Sequence, residues 1–361
     1  MRDLTAIDIR DETELWIGPA PEQAPVRATV VIPCYCAEQT LMRAADSALG
    51  QTLKDIEVIL VDDASTDGSW DVIAELLRRD GRVRALRHKR NRGKSVAMNR
   101  AAALARGQWL AVLDADDWYG VERLNALVAL AEWRQADLAA DNQFLFDAGA
   151  DHVVGTAWPS RASSWDLSFD DFLAGSDAYL SFNLGMLKPV INVEFLRKMR
   201  LGYEENARQG EDFFHLLQFY LAGGRAVISD MPFYFYTQPF GAVSRQWSHS
   251  GRTRYDFQNA FEINRRYLEE SSRTLTRRQR RTLTARHDRL CTLEQYFRAK
   301  AAFGCRDWMT VAELLTGHPA AIGYLLRRIG SRLWPQSPSR TLRAIADRAR
   351  RVSLNGVQDA R

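Results

Sequence analysis

Short apolar blocks alternate with helix-spaced segments through the first half of the chain. Val30-Val31-Ile32, Val58-Ile59-Leu60-Val61, Val83 to Leu86, Trp109 to Leu113 and Leu138 to Phe146 are the blocks. Their length and their polar boundaries predict buried strands. Between them, Glu38 to Leu49, Trp70 to Arg79, Ser95 to Ala105 and Glu122 to Trp133 predict helices. In the second of these, Val72, Ile73, Leu76 and Leu77 fall on one face. Strands alternating with helices over short loops predict an α/β fold, with a mostly parallel sheet flanked by helices. Residues 150 to 210 hold few clean periods. Beyond them, Phe213 to Leu221 reads as helix and Ala226 to Tyr236 as strand, and the chain from about Arg252 reads as helical. Residues 1 to 25 are polar, with Pro19, Pro21 and Pro25 near their end, and are expected to form a poorly ordered leader.

Sheets of this kind bind ligands at the carboxyl ends of their strands. Three of those ends carry chemistry: Pro33-Cys34-Tyr35, Asp62-Asp63-Ala64-Ser65 and Asp114-Ala115-Asp116-Asp117. The last sets three carboxylates within four residues, directly after a buried strand. Packed acid there is costly unless a cation binds, and Mg²⁺ or Mn²⁺ carrying a diphosphate suits such oxygens. One carboxylate of Asp62-Asp63 can accept the imide N–H of a uracil or hydrogen-bond a ribose hydroxyl, and Asp63 is the better candidate. Ser65, Thr66 and Asp67 read as turn and helix-capping residues. The ring of Tyr35 can stack on a base face.

The basic loop Lys89 to Lys94 leads into a helix N-terminus, which attracts phosphate. Lys94 and Asn99 are its residues expected to face the site. The loop lacks the spacing of a P-loop, and no Gly-x-Gly-x-x-Gly follows the first strand, which excludes the usual nicotinamide fingerprint. Gly210-Glu211-Asp212 opens a helix, where acid is common for dipole reasons alone. A site that expels a diphosphate also needs a general base, and a second-half carboxylate can supply it. Between Tyr234 and Arg245, a Gly-containing loop with Ser244 and Arg245 reads equally as a diphosphate-closing loop or an ordinary one.

Composition narrows the setting. The chain has 361 residues, 46% apolar and 26% charged, enough for one large domain and a smaller appendage. Four cysteines, Cys34, Cys36, Cys291 and Cys305, show no metal-binding spacing, and a reduced, cytoplasmic setting fits them. No apolar run has transmembrane length, and the N-terminus lacks a signal-peptide pattern. Charge is unevenly spread. Arg273 to Arg361 hold 19 Lys+Arg against 6 Asp+Glu, a net of +13, and the whole-chain charge of +4 leaves −9 on the rest. Basic helical segments carrying Arg277, Arg278, Arg327, Arg328 and Arg332 suit either an anionic membrane surface or a solvated cap.

Together these residues resemble glycosyltransferase family 2, the inverting GT-A enzymes that use nucleotide sugars. The resemblance covers roughly Val26 to Arg245 and rests on five ordered motifs. They are Val30 to Glu38, Val61 to Ser69, Asn91 to Asn99, Leu113 to Asp117 and Gly210 to Asp212. The family usually has Asn where this chain has Cys36, which removes one possible polar contact. The Gln-x-x-Arg-Trp motif of processive members is absent, so the resemblance implies transfer of a single sugar. The stretch Asn183 to Pro189 is similar to the succinoglycan type of bacterial exopolysaccharide enzymes.

The resemblance implies a GT-A domain over 26–250, with a nucleotide-binding half (26–120) and an acceptor half (121–250). A helical basic region over 251–361 follows. It implies that Tyr35 and Asp63 recognise uracil, with Pro33, Glu38 and Lys94 lining the pocket. Asp114 would approach the ribose and the metal, Asp116 would hold Mn²⁺ or Mg²⁺, and Asp212 would be the general base beside Glu211. Ser244 and Arg245 would meet the donor. The donor would be a UDP-sugar, UDP-glucose being the first candidate, and the acceptor a lipid-linked saccharide at the inner face of the membrane. A sugar-nucleotide pyrophosphorylase would normally carry a Gly-rich loop after the first strand, which Pro33-Cys34-Tyr35 does not supply. A nucleic-acid-binding protein would explain the Arg-rich tail but not the acidic strand ends, and no nucleic-acid partner is expected.

Overall fold

The computed structural model describes residues 13–17, 25–160, 163–177, 183–238 and 257–333. Eleven strands form one mixed sheet. They are β1 (Thr13–Ile17), β2 (Ala28–Cys34), β3 (Ile56–Asp62), β4 (Val83–His88), β5 (Trp109–Val112), β6 (Trp118–Tyr119), β7 (Leu138–Asp147), β8 (His152–Thr156), β9 (Ser164–Leu167), β10 (Val190–Asn192) and β11 (Ala226–Gln238). The order is β1-β4-β3-β2-β5-β10-β7-β11-β6, with β8 on β7 and β9 on β11. The block β4-β3-β2-β5 is parallel, as is the β7–β11 pair. β10 runs antiparallel to both β5 and β7, which it joins. The sheet is therefore mixed overall and parallel through the β4-β3-β2-β5 block. β1 pairs antiparallel with β4 at the edge, so the segment expected as a poorly ordered leader contributes a strand.

Local chemistry explains the parallel block. Every residue of β3, from Ile56 to Asp62, is buried, as a central strand covered on both faces requires. Pro33 stands near the end of β2, where its missing N–H would ordinarily break a ladder. β5 ends at Val112, opposite Val31, so the strand pairing on that side has ended before Pro33 is reached. Gly107 precedes β5 because a side chain there has no room. A Cβ would lie 2.4 Å from the backbone nitrogen of Thr29.

The helices are α1 (Leu41–Leu49), α2 (Ser69–Arg79), α3 (Lys94–Leu104), α4 (Arg123–Trp133), α5 (Phe169–Gly175), α6 (Val193–Lys198), α7 (Glu211–Leu221), α8 (Phe257–Glu270), α9 (Arg277–Gly304), α10 (Trp308–Gly317) and α11 (Pro319–Leu333). α1, α2 and α4 pack on one face of the sheet through Leu41, Ile73, Leu76, Leu124 and Leu127. On the other face, α3, α5, α6, α7, α8 and α9 share a core that includes Met98, Phe172, Leu196, Phe214, Ile263 and Leu283. The first two helices of the basic C-terminal region thus belong to the main core. Residues 150 to 210, which lack a clean period, hold short pieces fixed by caps and pairing. Ser168 caps α5 by accepting the Asp171 N–H, and Asn192 caps α6 by accepting the Phe195 N–H.

Candidate active site

Two polar loops at the ends of β2 and β3 are tied to one another. Ser65 Oγ accepts the Cys36 N–H at 3.0 Å, and Ser69 Oγ accepts the Ala37 N–H at 2.8 Å. Asp67 accepts the Glu38 N–H, and the Glu38 carboxylate accepts the Gly68 N–H at 3.1 Å. Glu38 is exposed and engaged at the start of α2, while Pro33 and Tyr35 are half-buried at the end of β2. Cys36 and Ala64 both have left-handed backbones, φ 50° and 61°. Asn tolerates that conformation better than most residues, which would explain physically the Asn that the resemblance expects at the place of Cys36.

Asp63 is buried and its carboxylate closes the basic loop. It accepts the backbone N–H of Arg92 (2.8 Å) and of Gly93 (2.7 Å), and His88 Nδ1 lies 2.7 Å away. These contacts fix the turn that starts α3 and so aim Lys94. Asn99, one turn along α3, exchanges two hydrogen bonds with Tyr203. Its Nδ2 donates to the Tyr203 carbonyl at 2.9 Å and its Oδ1 accepts the Tyr203 N–H at 2.7 Å. Asn99 thus braces α3 against the segment that leads to Gly210.

At the end of β5, the three acids separate by environment. Asp117 is buried, accepting the Tyr234 O–H at 2.7 Å and the Thr237 N–H at 2.8 Å. Burial and the charges of Asp116 and Asp114 push its carboxyl well above the usual carboxylate range. Asp117 therefore fastens β11 to the loop. Asp116 is half-buried, and its carbonyl accepts from Arg43 (3.0 Å) and Thr237 Oγ1 (2.6 Å). Asp114 points at two lysines.

Those lysines form the centre of the site. Lys94 Nζ lies 2.9 Å from Asp114 Oδ1, 3.0 Å from Asp212 Oδ2 and 3.7 Å from Glu211 Oε1. Lys188 Nζ lies 2.6 Å from Asp114 Oδ2 and 2.7 Å from Asp212 Oδ2. Burial alone would raise the carboxyl of Asp212, but Lys188 and Lys94 overcome it and hold the group below its ordinary value. The same two lysines overcome burial at Asp114 and depress it further. Burial raises Glu211, with Lys94 pulling the other way. Asp212 Oδ1 is buried and has no hydrogen-bond partner among the described residues.

Lys188 is the residue that the sequence reading missed. It follows a 3₁₀ turn (Leu184–Met186), and its carbonyl accepts from Arg123 Nη2. Arg123 is fully buried, paired with Asp141 at 2.7 Å, and lies over the rings of Tyr119 and Tyr234. Tyr234 in turn accepts the Asp114 N–H at 3.2 Å. One buried network therefore sets both Lys188 and Asp114. The available signal was a lone Lys within an apolar run, since a lysine buried there needs carboxylate partners.

The structure thus brings together Lys94, Asp114, Glu211 and Asp212, and places Asp63 behind the α3 turn. Both oxygens of Asp114 already face ammonium groups, so a metal at Asp114 would have to displace a lysine. Ser244 and Arg245 lie outside the described residues. Among the described residues no cluster of three or more His, Cys, Asp or Glu forms a metal cage. Mg²⁺ and Mn²⁺ need only one or two protein carboxylates when phosphates supply the rest. Asp116 meets that requirement as a half-buried carboxylate at the end of β5, beside Asp114 and Asp117.

Comparison with known proteins gives the family and the fold. The model of "Glycosyl transferase family 2" matches residues 29–171. The succinoglycan biosynthesis protein ExoO of Rhizobium meliloti (strain 1021) is 32% identical over 63% of this chain and 65% of its own length. ExoU of the same organism, also a succinoglycan biosynthesis protein, is 31% identical over 68% of this chain and 70% of its own length. Among solved structures, S. aureus TarS 1-349 in complex with UDP-GlcNAc superposes with a TM-score of 0.55 at 18% identity, covering 76% of this chain and 73% of that one. That likeness shows the fold, which is GT-A. The ordered motifs, the GT-A sheet and the match across more than two thirds of ExoU lead to one family: the chain belongs to glycosyl transferase family 2.

Proposed function

We propose that this glycosyltransferase moves one sugar from a UDP-sugar, UDP-glucose first among candidates, to a hydroxyl of a lipid-linked saccharide, with inversion, in bacterial exopolysaccharide biosynthesis. The observation that carries the reading is the state of Asp212. One carboxylate oxygen is held by Lys94 and Lys188, and the other is buried without a partner among the described residues. A fixed, ionised carboxylate with one oxygen left unpartnered is a group from which an in-line displacement can draw its base. The relation to ExoO and ExoU supports the pathway, and the UDP-GlcNAc complex of TarS supports the donor class.

Asp212 Oδ1 receives the acceptor hydroxyl's proton as that oxygen bonds to the anomeric carbon. The bond from that carbon to the diphosphate oxygen breaks on the opposite side, so an α-linked donor gives a β-linked product. Charge spreads over the sugar ring as in glycoside chemistry. Lys94 and Lys188 keep Asp212 ionised and add positive charge at this edge. Glu211, which burial moves toward its neutral form, stands beside the base. Tyr35 stacks on the uracil and Asp63 meets its imide, with Pro33 and Glu38 at the pocket wall and Asp114 near the ribose. Ser244 and Arg245 close over the diphosphate. Asp116 would hold Mn²⁺ or Mg²⁺, which when bound neutralises charge on the leaving diphosphate.

The lipid-linked acceptor goes with peripheral contact at the inner face of the plasma membrane. No described helix is long and apolar enough to cross a membrane. The C-terminal helices carry exposed Trp308 (58%), Met309 (85%) and Leu326 (63%) beside the net positive charge of residues 273–361. Bulky apolar groups with surrounding Arg suit an anionic interface.

A screen of UDP-sugars for Mn²⁺-dependent UDP release tests the reading, with NMR of the first-formed anomer. UDP release with a β-anomer from an α-linked donor is expected. No release from any UDP-sugar, or a retained α-configuration, would overturn it.

A further inference from the structure

Arg286, on α9 in the C-terminal helical region, reaches the far side of the helix that carries Asp212. Its guanidinium lies 3.6 Å from the centre of the Phe213 ring, and its Nη1 donates to the Ser176 carbonyl at 2.5 Å. A Cβ on Gly210 would lie 3.7 Å from its Nη2. Gly210 and Phe213 flank Glu211 and Asp212 directly. The first turn of α7 has no side-chain cap, and Gly210 enters it with a left-handed backbone of φ 72°. The grip from Arg286 therefore acts on a turn that does not cap itself.

Burial makes Arg a costly choice at this position. The side chain is 9% exposed, makes no carboxylate pair among the described residues, and leaves Nε without a partner there. A buried guanidinium without a carboxylate is costly, and an apolar side chain of similar volume often serves stability as well or better. Burial lowers its pKa to about 9, with Asp177 opposing the shift. What the arginine adds is geometry: a flat cation on an aromatic face, with directed N–H groups.

We propose that Arg286 is a positioning residue for sugar transfer, clamping the Gly210–Phe213 turn so that Asp212 meets the acceptor hydroxyl. This rests on the reading of Asp212 as the base. It makes the helical extension part of the catalytic machinery. Nearby contacts act in the same sense. Asn259 on α8 accepts the Arg208 N–H at 3.0 Å, Arg266 pairs with Glu204, and Arg289 pairs with Asp177. A displacement of about 1 Å at a reacting group can cost on the order of 100-fold in rate.

The test compares full-length wild type with Arg286→Met, Arg286→Lys and Asp212→Asn. Turnover is read as UDP release from UDP-glucose, UDP-galactose and UDP-N-acetylglucosamine with Mn²⁺, and binding by calorimetry with UDP. Arg286→Met is expected to fold, to bind UDP as wild type does, and to lose roughly 10–100-fold in kcat. Arg286→Lys is expected to recover part of that loss. If Arg286→Met does not fold, Arg286→Lys decides: lowered kcat at unchanged UDP affinity supports the clamp, and wild-type kcat overturns it. Wild-type kcat in folded Arg286→Met, or a parallel loss of kcat and UDP affinity, would overturn it too. If Arg286→Met keeps full turnover while Asp212→Asn is dead, this inference alone fails. Normal turnover by Asp212→Asn, or no UDP release by wild type, removes the underlying reading and the clamp with it.

Discussion

Lys188 stands 2.6 Å from Asp114 and 2.7 Å from Asp212, joining the acid at the end of β5 to the acid at the start of α7. Removing one partner of a buried ionic group leaves the others uncompensated, which typically costs about 3–5 kcal/mol. Lys188→Met is therefore expected to destabilise the protein by that order and to reduce turnover sharply. Urea denaturation measures the first effect and UDP release the second; wild-type values for both would contradict the role given to Lys188. Asp114, Asp212 and Lys94 were legible in the sequence because each lies in a motif whose neighbours suggest a strand end or a helix start. Lys188 was not, because nothing local reports which distant carboxylates an apolar segment will meet. Asp63 was legible as a strand-end acid, but its hold on the Arg92 and Gly93 N–H groups was not. That hold depends on how the loop between β4 and α3 folds back.

At the scale of elements, the boundary expected near residue 250 divides one packed unit. Ala260, Ile263 and Tyr267 of α8 and Leu283 and Leu290 of α9 are buried in the same core as α3 and α7. Each large apolar side chain removed from water contributes roughly 1.5–3 kcal/mol, and domains are stable by only about 5–15 kcal/mol in total. A chain ended at residue 256 is accordingly expected to aggregate or to unfold without a cooperative transition. A wild-type melting midpoint for that shortened chain, followed by circular dichroism, would contradict this packing. The charge change near Arg273 was visible in the sequence, but charge marks composition rather than packing. From Ala28 to Trp133 the regular strands and helices, β6 aside, were legible because their periods are long enough to read, whereas β1 in the leader was not. β9, β10, α5 and α6 were not. They are three to seven residues long and depend on neighbours, as β10 does on β5 and β7. Their Ser168 and Asn192 caps were the local signal available.

Across the whole molecule, we propose that the acidic body and the basic C-terminal region face different partners. In that proposal the body gathers nucleotide, metal and base chemistry at the strand ends, and the C-terminal region, with its arginines and exposed Trp308, Met309 and Leu326, meets an anionic surface. Flotation with phosphatidylglycerol vesicles, with and without residues 320–361, separates a membrane contact from a solvated cap. Salt-sensitive flotation lost on deletion is expected; equal behaviour of both chains would remove the membrane contact. The alternation of strands and helices disclosed the α/β class, whereas the antiparallel insertion of β10 was set by tertiary pairing alone. That insertion begins two residues after Lys188 and brings it beside Asp114, while α7 delivers Asp212 from the second half of the chain. We propose that Asp212 is the base of sugar transfer in this assembled site. The most direct measurement is UDP release by Asp212→Asn beside calorimetric binding of UDP with Mn²⁺. Wild-type UDP binding with turnover reduced by at least about 100-fold is expected; binding and turnover both at wild-type levels would contradict the role of Asp212.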